Sequence, residues 1–189
     1  MNHASSTPDR ATLASAIAQA SLLRGKFTLR SGKISTYYLD KYTFTTRPAI
    51  LAQLAVLLAQ RIRTIEHALD RRADRLAGAE LGGIPLVTVA SIQTGVPCLF
   101  VRNAKKDYGT ARQLEGTHQP GESVIFVEDV ATTAGQALEA VGVLRSAGLE
   151  PLAVIATIDR LEGARENVER AGLIFESLFT VTDLGVERE

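Results

Sequence analysis

Three short runs of apolar and β-branched residues, Pro97 to Val101, Val124 to Val127 and Leu152 to Ile158, alternate with helix-length stretches at Ile84 to Ile92, Gln136 to Arg145 and Arg165 to Ala171. None of the runs alternates polar with apolar residues, which predicts strands buried on both faces in a parallel sheet covered by helices. Strand and helix in regular succession give an α/β doubly wound fold. In such sheets ligands sit beyond the carboxyl ends of the strands, so function is sought in the segments that leave those ends.

The N-terminal part reads differently. Thr7 is a candidate N-cap with Pro8 in the first turn, and Leu13, Ile17 and Ala20 keep helical spacing in a helix expected to end near Gly25. In FTLRSGKISTYYLDKY, Thr28 and three tyrosines favour extended backbone and Ser31-Gly32 supplies a turn, predicting a hairpin or hood. From Pro48 to about Arg71, Ile50, Leu54, Leu58, Ile62, Ile65 and Leu69 line one face of a long amphipathic helix. No Pro-, Gly- or Ser-rich linker divides the 189 residues, which read as one domain. A chain of this length buries roughly 70% of its unfolded surface and needs no disulfide.

Composition narrows the function. Lys and Arg total 21 against 21 Asp and Glu, so a protein devoted to nucleic acid or acidic membranes is not expected, and any phosphate site must be local. A single cysteine, Cys98, points to a reducing compartment and reads as inert packing. The longest apolar stretch, Ala49 to Ala59, is interrupted by Gln53 and is shorter than the ~20 residues a bilayer demands. The first ten residues lack the basic-then-apolar order of a signal peptide, and the expected address is the cytoplasm.

The most informative segment is SVIFVEDVATTAGQALEAVGVLRSAG, residues 123 to 148. An apolar strand runs into Glu128 and Asp129, then into the small-residue loop Ala131-Thr132-Thr133-Ala134-Gly135, then into a helix. Backbone N–H groups, a helix dipole and threonine hydroxyls together make an anion cradle. The two acids ahead of it would repel phosphate but accept from vicinal hydroxyls, so the joint preference is a sugar phosphate. No Gly-Lys-Ser/Thr comes after the loop, which excludes a P-loop, and the dinucleotide glycine fingerprint is absent. The simpler reading, an Asp or Thr capping a helix after a strand, stays open on these residues alone.

VEDVATTAG resembles the ribose-phosphate motif of type I phosphoribosyltransferases. Three more segments are similar to the orotate phosphoribosyltransferases: FTLRSGKISTYYLD at 27 to 40 to their N-terminal signature, RNAKKDYGTARQLEG at 102 to 116 to their mobile catalytic loop, and TIDRLEG at 157 to 163 to their late strand and base-binding arginine. AGAELGGIPLV at 77 to 87 looks like the pyrophosphate-side loop. The resemblance implies a central, mostly parallel twisted sheet flanked by helices, with a small hood formed mainly by about 1–45 plus C-terminal elements and a core of about 46–180.

It also implies a reaction. Members transfer ribose 5-phosphate from phosphoribosyl pyrophosphate to orotate, releasing pyrophosphate and giving orotidine 5'-monophosphate, a step of pyrimidine (UMP) synthesis. Positive charge builds on the ribose ring and negative charge on the leaving group, so such a site needs anion clamps more than a nucleophile. By position, Glu128, Asp129, Val130, Ala131, Thr132, Thr133, Ala134, Gly135 and Gln136 would hold the ribose phosphate, and Arg30, Arg102, Asn103, Lys106 and Tyr108 the pyrophosphate side. Lys106, Asp129 and Arg102 are the catalytic candidates; Tyr37, Tyr38, Thr132 and Arg160 would form the orotate pocket, Arg160 meeting the orotate carboxylate. Without the resemblance, a surface pairing of Arg160 with Glu162 stays open as the lesser reading, and the tyrosines read more often as core or edge packing. Magnesium held mainly through substrate is implied, and a homodimer whose lid, Arg102 to Gly116, closes over the neighbouring site.

This sequence departs from the family pattern at several positions. Arg30 and Asn103 stand at usual lysine positions, Tyr108 at a common histidine, and Leu81-Gly82 at Tyr-Lys, leaving backbone amides to replace a side chain. Ala134 replaces a frequent glycine and is expected to keep a negative φ. His3, His67 and His118 have no partner at metal or triad spacing and read as structural or surface residues. Two other readings are weighed: a phosphoribosyltransferase for another base, which would not need Arg160 to meet a carboxylate, and a nucleotide-sensing regulator of the same fold.

Overall fold

The computed structural model describes residues 8–28, 34–103 and 113–187. Helix α1 spans Arg10–Ser21 and its cap is Asp9, whose carboxylate accepts from the amides of Ala11 and Thr12. An aspartate directly ahead of the first turn satisfies two orphaned donors and suits the helix dipole, so Asp9 displaces the cap expected at Thr7, which lies outside the described residues. The helix also stops earlier than Gly25. Leu22 turns extended, and Leu22–Thr28 forms β1, paired antiparallel with β2, Ile34–Leu39. The expected turn at Ser31-Gly32 lies outside the described residues.

Asp40 caps the short α2, Lys41–Thr45, by accepting from the Tyr42 amide. Helix α3, Pro48–Leu69, begins on a proline in its first turn, where the missing N–H is not needed. Its Ile50, Leu54, Leu58, Ile62 and Ile65 are buried, each fully buried side chain contributing about 1.5–3 kcal/mol, whereas Leu69 at its end is 38% exposed. Length and apolarity alone would let α3 cross a bilayer, but this face is packed into the core.

The remaining strands are β3 (Arg75–Ala79), β4 (Cys98–Val101), β5 (Leu114–Glu115), β6 (Ser123–Ala131), β7 (Glu150–Asp159) and β8 (Ile174–Thr180). Between them lie α4 (Gly83–Thr94), α5 (Gly135–Ser146) and α6 (Ala164–Arg170). They build one six-stranded sheet in the order β5-β4-β3-β6-β7-β8, parallel throughout except that β5 runs antiparallel to β4. Strands β6 and β7 are buried almost end to end, as continuous apolar runs require. β4 differs from that expectation: its burial alternates, with Leu99 and Val101 buried in the α5–α6 layer and Cys98 and Phe100 only partly covered on the other face.

Two apolar layers flank the sheet. One gathers α1, α3 and α4 around Leu54, Leu58 and Ile125; the other packs α5 and α6 over Phe126, Leu144 and Phe175. The direction in which successive strands are added reverses between β3 and β6, so the connections leaving their carboxyl ends diverge and open a crevice. A Cβ on Gly78 would come within 2.7 Å of the Gly83 carbonyl oxygen, so a bare backbone at Gly78 lets β3 run directly against the start of α4.

Candidate active site

The crevice at that switch point holds a cleft of about 280 Å³ lined by Lys41, Glu80, Gly82, Asn103, Glu128, Asp129 and Gln136 among others. Each wall follows from the local chain. Strand β6 carries Glu128 and Asp129 to its carboxyl end, where they are 8% and 1% exposed. The turn from β3 into α4 supplies Glu80 and Gly82; its Glu80-Leu81 peptide is cis. Asn103, just past β4, is tied to that turn: its amide donates to Glu80 Oε1 at 2.7 Å.

The two acids sit in unlike surroundings. Burial first, and then the neighbouring Asp129 carboxylate, push the Glu128 carboxyl well above its usual range. Asp129 Oδ2 lies 3.1 Å from the Lys41 ammonium, and its Oδ1 accepts from the Val130 amide at 2.6 Å. Burial pulls Lys41 down, but the Asp129 carboxylate outweighs it and holds the ammonium above its ordinary pKa. Among the described residues Glu128 Oε2 is buried without a hydrogen-bond partner, while Asp129 Oδ2, also buried, faces the Lys41 ammonium. Buried acceptors left open in this way are sites where a donor from a ligand is favoured.

The turn after β6 has the opposite character. Among the described residues, the amides of Thr132, Thr133, Ala134 and Gly135 find no acceptor in the protein. Carbonyls of the same turn are engaged: Ala131 O accepts from the Arg160 amide at 2.9 Å and Thr133 O from Asn167 Nδ2 at 3.0 Å. Outward amides at the start of the 12-residue α5 make a donor-rich concavity. Ala134 corrects an expectation. Its φ is +59°, in the left-handed region that costs a non-glycine residue roughly 1–2 kcal/mol, because the turn must reverse there to enter α5.

Arg160, one residue beyond β7, is held in two ways at once. Its Nε donates to the Tyr37 hydroxyl at 3.2 Å, with the guanidinium over the Tyr37 ring, and Nη2 lies 2.9 Å from Glu162. The Glu162 partnership and the contact with the hood are therefore both present. Tyr38 points elsewhere, since neighbours on a strand face opposite ways: it is 46% exposed and meets Phe27, with ring centroids 5.8 Å apart. Arg102 leaves β4 with its amide bonded to Gln113 O at 2.8 Å and its Nη1 3.9 Å from Glu115, and its buried Nε has no hydrogen-bond partner among the described residues.

The expected residues thus divide. Glu128, Asp129, Asn103 and Gln136 share the cleft, and Thr132 to Gly135 form the adjoining turn. Arg30, Lys106 and Tyr108 lie outside the described residues. Lys41 and the close approach of Gly82 to Asp129 are additions that sequence reasoning misses; Lys41 comes after Asp40 in YYLDKY, where a lone lysine between a capping acid and an aromatic reads as surface. Among the described residues no three His, Cys, Asp or Glu side chains cluster as a metal site, while the buried Glu128 and Asp129 carboxyl groups, with Glu128 Oε2 open, fit a hard cation reached through substrate hydroxyls and water.

No family model matches the chain. Curated relatives do. It is 46% identical over 160 residues to the orotate phosphoribosyltransferase of Methanocella arvoryzae, covering 85% of this chain and 87% of that one. Identity to the orotate phosphoribosyltransferase of Natronomonas pharaonis is 43% over 164 residues, 87% of this chain and 90% of the other. Among solved structures, the orotate phosphoribosyltransferase of Mycobacterium tuberculosis superposes with a TM-score of 0.80 at 33% identity, covering 95% of this chain and all of that one. Its complex with 5-phospho-α-D-ribosyl 1-diphosphate gives a TM-score of 0.76 at 31% identity, with the same coverage. With this fold, this cleft and relatives so similar over most of its length, the chain belongs to the orotate phosphoribosyltransferase family.

Proposed function

We propose that the turn Thr132 to Gln136 receives the 5-phosphate of phosphoribosyl pyrophosphate, that Glu128 and Asp129 accept from its ribose hydroxyls, and that Arg160 recognises the orotate carboxylate. The observation that carries this reading is the pairing of unlike sites: free amides in the turn and, immediately before it, two buried acids, Glu128 with an open oxygen and Asp129 engaged by the displaceable Lys41 ammonium. An anionic phosphate and a neutral diol on one five-carbon sugar satisfy both at once. Neither half alone selects a sugar phosphate.

The protein's contribution to the transfer is electrostatic and positional. As the bond to pyrophosphate breaks, the ribose carbon gains positive charge, which the Asp129 carboxylate close to the ring favours. Lys41 must then release Asp129, leaving its ammonium free to face the departing pyrophosphate alongside Arg102. Arg30, Asn103, Lys106 and Tyr108 complete the pyrophosphate side in this reading. Magnesium would be held mainly by substrate, near Glu128 and Asp129, and would neutralise charge on the leaving group when bound. On the orotate side, the Tyr37 ring backs the Arg160 guanidinium, and a carboxylate would replace Glu162 in a two-point contact.

A homodimer with shared sites and a cytoplasmic address are part of the same reading. Leu81 and Ile92, 64% and 79% exposed at and beyond the rim of the cleft, give a second copy apolar surface to cover. The test is loss of orotate absorbance with phosphoribosyl pyrophosphate and magnesium, with uracil, hypoxanthine and adenine as controls. Turnover of orotate alone is expected; turnover of a purine in its place would overturn the base assignment.

A further inference from the structure

Asn167 lies on α6, away from the cleft lining, yet it touches the phosphate turn. Its Nδ2 donates to the Thr133 carbonyl at 3.0 Å, and its Oδ1 accepts from Arg170 Nη1 at 2.9 Å. The guanidinium only donates, so it fixes which end of the Asn167 amide is oxygen and which nitrogen. The peptide joining Thr133 to Ala134 is planar and trans, so a carbonyl drawn toward α6 turns the Ala134 N–H to the opposite side. That N–H is one of the amides with no acceptor in the protein, and Ala134 is the residue held at positive φ.

We propose that Asn167 is a positioning residue for phosphoribosyl pyrophosphate: by anchoring the Thr133 carbonyl it aims the Ala134 amide into the cradle and holds the left-handed turn that an alanine resists. A glycine at 134 would reach that conformation unaided. The same connection supplies a second tie, the Arg160 amide on Ala131 O, so the segment leading from β7 into α6 scaffolds the turn at two carbonyls while carrying the orotate arginine. The proposal rests on reading residues 132 to 136 as the 5-phosphate site.

Three variants test it by steady-state kinetics and thermal midpoint. Asn167→Ala should raise KM for phosphoribosyl pyrophosphate about 3- to 10-fold, the ratio one hydrogen bond commands, with KM for orotate and kcat within about twofold. Asn167→Asp is nearly isosteric and can still pair with Arg170, three residues further along α6. It sets acceptor against acceptor at Thr133, so KM for phosphoribosyl pyrophosphate should rise at least as far while the thermal midpoint does not fall. A merely structural role would make binding follow stability.

Gly135→Asp separates the two claims, since a Cβ there meets nothing nearer than 3.8 Å and the carboxylate would lie in the cradle itself. Loss of phosphoribosyl pyrophosphate binding in this variant together with the Asn167 effects supports the proposal. Loss in Gly135→Asp with both Asn167 variants unchanged overturns the role of Asn167 and leaves the cradle standing. Unchanged binding in Gly135→Asp overturns the cradle and the proposal with it.

Discussion

Gly82 lies flat against the Asp129 carboxylate, so closely that a Cβ on it would stand 1.7 Å from Oδ2. The first turn of the β3–α4 connection and the end of β6 are thereby locked in contact at the centre of the cleft. The bare backbone of Gly82 admits the carboxylate.

Gly82→Ala should therefore displace Asp129 by about an ångström and lower kcat/KM on the order of 100-fold. The measurement is kinetics beside a thermal midpoint; full activity with an unchanged midpoint would show that the carboxylate position does not matter.

Glu128 makes stability depend on pH in a definite direction. Its folded pKa is raised by burial and by Asp129, so the folded state binds a proton more tightly than the unfolded chain. That contribution is fully present below the ordinary carboxylate pKa and is lost as pH rises through the raised folded value. Lys41 opposes the shift, so Lys41→Met should extend the loss to higher pH, whereas Lys41→Arg should not. Thermal midpoints across a pH series read both.

Arg160→Ala should raise KM for orotate about 10- to 100-fold, as loss of a charge-assisted pair does, and leave KM for phosphoribosyl pyrophosphate nearly unchanged. Glu162 competes for the same guanidinium at 2.9 Å, so Glu162→Gln should leave orotate binding equal or tighter. A rise in both Michaelis constants in Arg160→Ala would mean that the arginine supports the fold instead.

Ala134→Gly removes the cost of a left-handed alanine, roughly 1–2 kcal/mol, against about 0.5–1 kcal/mol of added unfolded-state freedom. A net gain of about 0.5–1 kcal/mol in unfolding free energy by denaturant titration is expected. A destabilised variant would mean that the alanine methyl, 5% exposed against the α5 layer, contributes more than its backbone costs.

Much of the fold is legible in the sequence, for identifiable reasons. β6 and β7 are long, β-branched and covered on both faces, so their runs stand out. β3 does not: RLAGA carries two alanines and a glycine, small because α4 packs close, and small residues leave no strand signal. β8 is hidden by Glu176 and Ser177 in its middle, tolerable at the sheet edge, where Glu176 pairs with Arg61 at 3.0 Å. In the site, the acids and the turn are readable because they are contiguous. The contacts of Lys41, Gly82 and Asn167 are not, since each acts on a segment tens of residues away and only the fold brings them together.

The central claim is that the amides of Thr132 to Gly135 hold the sugar phosphate, and they can be watched one by one. In an amide-resolved NMR titration with ribose 5-phosphate, the resonances of Thr133, Ala134 and Gly135 should shift together and saturate with one binding constant. Saturable binding that leaves those three unmoved, while amides elsewhere respond, would contradict the account.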